Sequence, residues 1–228
     1  MDFRVDIDPS APATPGSETF GLERGGSRRT MRIHDYDEVY AVPGLYEHVV
    51  QDLLGCTSPQ TLAAALAVRV VAAGAAPSSV RCLDVGAGNG VSGEALTAAG
   101  LSPVAALDIS AAAKDAAARD RPGLYVEYVV GALGDVELPA LVRRLGLNAL
   151  VSAGALTGRH IEPPVLAETW ATFATGDWLA FTCAEQHADG ARSDFEAHTT
   201  FELDERFLHR RLTNGDPVWY RVLVGRRR

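Results

Sequence analysis

The chain has 228 residues, 47% of them apolar and 22% charged, with a formal net charge of −8, enough for one α/β domain with its own core. The acidic balance speaks against a nucleic-acid partner, whose phosphates call for a basic surface, and the C-terminal Gly-Arg-Arg-Arg reads as a solvated tail. No apolar run reaches spanning length and the first residues lack the apolar core of a secretion signal, so the sequence predicts no membrane association and a cytoplasmic location.

Residues 1–28, rich in Pro, Gly, Ser and Asp, predict a flexible arm, with residues 9–28 disordered. Residues 29–76 predict a helical lid. Tyr36, Tyr40 and Tyr46 cluster there, and Leu45, Val49, Val50, Leu53 and Leu54 fall on one helical face. Ser58 predicts the N-cap of the next helix, with Pro59 at its first position. Cys56, Cys82 and Cys183 are too scattered for a disulfide framework or a zinc site. Cys82 and Cys183 read as buried thiols in strands.

From residue 77 the chain alternates. Strands are predicted at 80–86, 103–110, 124–131, 148–156 and 177–185, with helices at 91–100, 111–120, 138–146 and 163–174 between and after them. Two β-like runs, 206–212 and 218–225, flank an Asn-Gly turn and predict a hairpin. This pattern is an α/β doubly wound sheet, mostly parallel, seven-stranded and closed by an antiparallel pair. Residues 77–228 form its catalytic domain. No motif fixes an oligomeric state.

In such a sheet the first strand–helix turn carries the ligand. Here it reads Asp84-Val-Gly86-Ala-Gly88-Asn-Gly90, and two registers compete. Gly88 to Gly93 match the dinucleotide pattern G-x-G-x-x-G, but that register leaves an unpaired carboxylate inside a buried strand. The other register ends the strand at Asp84 and turns the acid into the mouth of the site. That suits a cationic nucleoside better than a pyrophosphate, with glycines letting the backbone approach. Asp108, at the end of the second strand, can accept both ribose hydroxyls of an adenosine; its alternative role is a helix cap.

The runs CLDVGAGNGVSGEAL (82–96), ALDIS (106–110) and ALVSAGAL (149–156) resemble the successive motifs of class I S-adenosylmethionine-dependent methyltransferases, with a resemblance covering about residues 33–225. It implies a Rossmann-like fold and S-adenosylmethionine as cofactor. Asp84 would lie near the methionine end. Gly86, Ala87, Gly88, Asn89 and Gly90 would pass beneath sulfur and ribose, and Asp108 with Ile109 would hold the ribose. Ala132 and Leu133, after Gly131, would flank adenine through backbone groups, because the acid or amide many members carry there is missing. Asn148 replaces another common acid. Ser152, Ala153 and Gly154 would run beneath the sulfonium.

Methyl transfer needs alignment and dryness rather than a covalent residue, and no triad or metal cluster is evident. Tyr40 could cover the sulfonium, with packing as the alternative role. His160, after the fourth strand, is a candidate base, and Glu185, after the fifth, is the candidate acceptor-facing acid, followed by His187. His209 and Tyr220 read as strand-face packing. The expected activity is methylation of a small-molecule substrate. The rivals are cyclisation of the cofactor itself, as in azetidine-forming enzymes, a non-catalytic cofactor-binding regulator, and, weakest, a nicotinamide oxidoreductase.

Overall fold

A computed structural model describes residues 2–156 and 161–228. The chain begins with a three-stranded antiparallel sheet of β1 (Phe3–Asp6), β2 (Thr19–Arg24) and β3 (Ser27–Arg32), which corrects the expectation of an unstructured arm. Gly25 and Gly26, at φ of 59° and 76°, make the two-residue turn between β2 and β3. Only such paired positive φ values match the twist of a tight hairpin. Phe20 and Leu22 point inward and share one core with Ile33, Val39, Leu45 and Val49 of the lid segment. A buried ion pair closes the unit from behind. The Glu18 carboxylate accepts from Arg210 Nη1 (2.8 Å) and Nη2 (2.5 Å) and from the Thr213 amide (3.1 Å).

The lid holds α1 (Tyr36–Tyr40) and a π-helical segment, Glu47–Leu53. Its wider winding is visible in the bond from Leu54 N to Val49 O (3.0 Å). That phase buries Leu45, Val49, Val50 and Leu54, whereas Leu53 is 46% exposed. The expected apolar face therefore loses one member, because it assumed α-helical spacing. α2 (Ser58–Ala72) follows with Pro59 in its first turn. The cap position belongs to Thr57, whose hydroxyl donates to Leu208 O (2.7 Å).

The main sheet contains β4 (Arg81–Val85), β5 (Ser102–Asp108), β6 (Glu127–Val130), β7 (Ala149–Leu156), β8 (Trp178–Ala184), β9 (Thr199–Arg211) and β10 (Pro217–Arg227). Its order is β6-β5-β4-β7-β8-β10-β9, with β10 antiparallel to both neighbours. Between the parallel strands run α3 (Val91–Ala98), α4 (Ala111–Asp120), α5 (Leu138–Leu145) and α6 (Pro163–Trp170). α7 (Ala188–Glu196) precedes the hairpin and packs Phe195 against Phe181, a helix the sequence reading left unassigned. Two apolar cores sandwich the sheet, one around Leu150, Trp170 and Phe181, the other around Leu66, Leu96 and Val151. Cys82 and Cys183 are buried thiols in strands, as expected. The basic C-terminus is no free tail. Arg226 lies over the Trp178 ring (4.9 Å), and Arg227 donates to Ala171 O and His198 O.

The order reverses between β4 and β7. Their C-terminal ends open a crevice there, the place where this architecture binds ligands.

Candidate active site

The glycine turn joins β4 to α3 over that crevice. Asp84 does not reach its mouth, which corrects the sequence reading. It is a fully buried residue of β4, with Oδ2 accepting from Ser92 Oγ (2.5 Å) and Tyr125 OH (2.7 Å). Burial pushes its pKa up to about 6, the two hydroxyls oppose that rise, and the nearby Asp108 charge adds to it. Asp84 Oδ1 and Asn89 Oδ1 are both buried acceptors with no donor among the described residues. Asn89 is held by its amide, which donates to Glu47 Oε1 of the lid (2.9 Å). Glu47 in turn pairs with Arg121 (2.9 Å), and Arg121 with Glu94 (2.7 Å), so the lid is tied to the helices beneath it.

Asp108 ends β5 beneath the turn. Its Oδ2 accepts from Gly88 N (2.8 Å) and its Oδ1 from Ser110 N (3.0 Å). Ser110 Oγ, not Asp108, caps α4 through Ala113 N (3.1 Å). Desolvation raises the Asp108 pKa, and the Ser110 and Gly88 amides pull against it. Asp108 lines a cavity of about 890 Å³ together with Ile109, Ala132, Leu133 and Gly154. Ile109 stands 75% exposed at its edge, a flat apolar surface awaiting a partner.

A second cavity, about 460 Å³, adjoins the first. Gly86, Tyr36, Tyr40, Tyr46, Ala153 and Gly154 line both. Tyr40 and Tyr46 pack with ring centroids 4.9 Å apart, and Tyr36 stacks on Tyr40 at 5.9 Å. A Cβ at Gly88 would lie 2.5 Å from the Tyr40 hydroxyl, and Gly88 has φ +56°, so only glycine lets the turn and the tyrosine meet. Burial holds the pKa of Tyr40 well above its ordinary value. Its hydroxyl keeps its proton near neutrality. The second cavity is lined as well by Ala87, Gly88, Asn89 and His187, and by the hairpin residues His209, Arg210 and Tyr220.

The structure thus gathers Tyr40, Gly86, Ala87, Gly88, Asn89, Asp108, Ile109, Ala132, Leu133, Ala153 and Gly154 around the two cavities. It leaves others outside them. Gly90 starts α3 behind the turn. Ser152 is buried, and its hydroxyl donates to Val85 O (2.9 Å), tying β7 to β4. Glu185 turns away on the 3₁₀ turn that follows β8 and pairs with Arg206 (2.7 Å), 43% exposed. Neither cavity includes it, whereas its neighbours Gln186 and His187 line the second. His160 lies outside the described residues. His209 and Tyr220, read from the sequence only as strand-face packing, and Arg210, which the sequence did not single out, line the second cavity, since alternation in a strand does not say that its edge folds over a neighbour's crevice.

No known family pattern matches the sequence, and no curated protein matches it. Solved structures match in shape. An S-adenosylmethionine-dependent methyltransferase from Anabaena variabilis is 12% identical at a TM-score of 0.54, over 86% of this chain and 95% of that one. One from Mesorhizobium loti is 14% identical at 0.51, over 70% and 96%. A predicted O-methyltransferase from Agrobacterium tumefaciens is 16% identical at 0.51, over 74% and 80%. At these identities the likeness is one of fold, and the fold is that of the Rossmann-like methyltransferases. The residues present fit their cofactor, since Asn89 Oδ1, a buried acceptor on the cavity wall with no donor among the described residues, suits an ammonium and the tyrosine cluster suits a sulfonium.

Proposed function

We propose that the chain is a methyltransferase that uses S-adenosylmethionine to methylate a small-molecule acceptor. The observation that carries this reading is the joining of two cavities across one wall of glycines and tyrosines, Gly86, Gly154, Tyr36, Tyr40 and Tyr46. The larger cavity has nucleoside features, and the smaller would take the cofactor's methionine end along Ala87, Gly88 and Asn89 and an acceptor beyond it. When bound, the cofactor supplies a methyl group on a positively charged sulfur.

The chain's own residues do the rest. Asp108, oriented by the Gly88 and Ser110 amides, would accept the ribose hydroxyls. Ile109 and Leu133 would sandwich the adenine. Asn89 Oδ1, an acceptor without a donor, would take the ammonium, with Asp84 behind the turn adding a negative field. The tyrosine cluster excludes water and gives a cation about 0.5–2 kcal/mol of attraction through ring faces. The smaller chamber aligns the acceptor for in-line attack, where fixed geometry removes most of the entropic barrier.

The net charge of −8 supports a partner other than nucleic acid. Among the described residues no helix is long and apolar enough to cross a membrane, which supports the reading of a cytoplasmic enzyme with free thiols. The test is product analysis with labelled S-adenosylmethionine, with and without a panel of small hydroxyl, amine and thiol acceptors. S-adenosylhomocysteine and a labelled acceptor are expected. Methylthioadenosine formed from the cofactor alone would replace methylation with cyclisation, and saturable binding with no product would leave a regulator.

A further inference from the structure

Within the β9–β10 hairpin, Leu208 faces Trp219 and Arg210 faces Val218, so His209 has no cross-strand partner. It is the extra residue of a β-bulge, a device that re-aims a side chain beside a site. The loop before α2 satisfies the freed backbone, with Thr57 N donating to His209 O (2.8 Å). The imidazole is turned inward, 8% exposed, and stacked on Tyr220 at 3.8 Å. Ser58 Oγ lies 2.7 Å from Nδ1. Cε1 lies 3.8 Å from where a Cβ of Gly154 would stand, on the wall between the two cavities. Packing alone requires neither a bulge nor a hydroxyl fixing one ring nitrogen.

The chamber around it has a distinct composition. Its described lining includes Arg32, His34, His187, His209 and Arg210 but no Asp or Glu. Beyond Asn89, which the methyltransferase reading gives to the cofactor's ammonium, it offers no carboxylate to hold a second ammonium group or to take a proton. Arg210 is neutralised by Glu18, and tyrosine rings cover the walls.

We propose that the acceptor is a phenol, methylated on oxygen, and that His209 is the catalytic residue that takes the phenolic proton. Ser58 is the positioning residue, accepting the Nδ1 proton so that Nε2 keeps its lone pair. This rests on the methyltransferase reading. The phenol O–H bond breaks and its proton goes to Nε2. An oxygen electron pair forms the new bond to the methyl carbon, and the carbon–sulfur bond breaks with its pair staying on sulfur. The imidazolium then gives its proton to water. Burial, with the Arg210 charge second, holds the His209 pKa down to about 3, so the ring is neutral throughout the physiological range. So weak a base receives the proton as the oxygen–carbon bond forms, not before. The flat ring of a phenol can also stack on the tyrosine faces that line the chamber, which an aliphatic alcohol cannot.

The test uses the full chain with 4-nitrophenol and its shape-matched amine, 4-nitroaniline. S-adenosylhomocysteine binding is measured first in wild type, His209→Gln and Ser58→Ala. If wild type does not bind it, the methyltransferase reading fails, and this proposal with it. With that ligand present, wild type is expected to bind 4-nitrophenol at least tenfold more tightly than 4-nitroaniline. His209→Gln should lose the preference while keeping nucleoside affinity. With the methyl donor, the variant's kcat should fall about 10²–10⁴-fold, the usual range for a positioned base. Ser58→Ala should lower kcat with KM little changed, and Ser58→Thr should restore it; this arm decides if His209→Gln does not fold. Equal binding of the two probes, binding of neither, methylation of the amine, or full activity in both variants would overturn the proposal.

Discussion

The larger cavity is edged by Asp35, Asp37, Glu38, Asp108 and Glu162, whereas the smaller presents Arg32, Arg210 and histidines and, among its described residues, no carboxylate. The two share Gly86 of the turn, Gly154 and the tyrosine cluster. Their difference follows from how each is built. The nucleoside side rests on one contiguous βαβ unit, where β4, its turn and β5 place Gly88 within 2.8 Å of Asp108. The smaller cavity adds to that turn residues from an N-terminal sheet, a π-helical lid, α2 and a terminal hairpin. In the proposed function the acidic edge faces a cationic cofactor, and the carboxylate-free chamber an acceptor that carries no ammonium.

The largest test of this contrast is Glu18→Gln. It leaves Arg210 buried without its counter-charge beside the acceptor chamber, an expected loss of about 3–5 kcal/mol read by denaturant unfolding. Nucleoside affinity, measured below the new melting point, should stay within about threefold, as Glu18 touches neither the turn nor Asp108. A large drop in that affinity would mean that the two sides are one unit.

Asp84→Asn comes next. The carboxyl has a pKa of about 6 in the fold against an ordinary 3.8, so the folded chain binds its proton more tightly than the unfolded chain does. Stability from this group is therefore present below about pH 4 and lost as pH rises through 6, by on the order of 3 kcal/mol. The variant should melt higher than wild type at pH 8, and the gap should close toward pH 4. His209 acts oppositely. Held near 3 against its ordinary 6.5, it removes stability as pH falls below 6.5, but it is common to both proteins and cancels in the difference. Parallel melting curves would show that Asp84 carries no burial cost.

Gly88→Ala should cost about 1–3 kcal/mol in stability, because a new Cβ meets the Tyr40 hydroxyl at 2.5 Å. Double substitution with Tyr40→Phe should restore part of it, and strict additivity would break the claimed contact. Smallest is Glu185→Gln, which removes only an exposed ion pair with Arg206; less than about 0.5 kcal/mol and an unchanged turnover are expected. A hundredfold loss of turnover would return Glu185 to the acceptor.

How much of this could be read in the sequence divides along the same line. Strand–helix alternation and the Asp84-to-Gly90 turn set the sheet and the nucleoside side, since each depends on neighbours in the chain. Even there, Asp84 was placed wrongly. The penalty for burying it was sound, but Ser92 and Tyr125 supply hydroxyls that reduce it, and Tyr125 comes from a third strand region that local reading cannot bring near. In the N-terminal sheet the signal was present and passed over: Gly25-Gly26 between the short runs holding Phe20, Leu22 and Met31 is a hairpin signature. Its anchor, Glu18 to Arg210, joins residues far apart in sequence. The bulge at His209 left no mark, because an extra residue in one strand is defined only by the register of its partner.

The account stands first on the nucleoside side, and calorimetric titration of S-adenosylhomocysteine into wild type and Asp108→Ala tests it most directly. Wild type should saturate at one ligand per chain, and the variant should bind at least about tenfold more weakly, the loss of a charge-assisted pair of hydrogen bonds. No heat of binding from wild type, or the same affinity in both proteins, would contradict it.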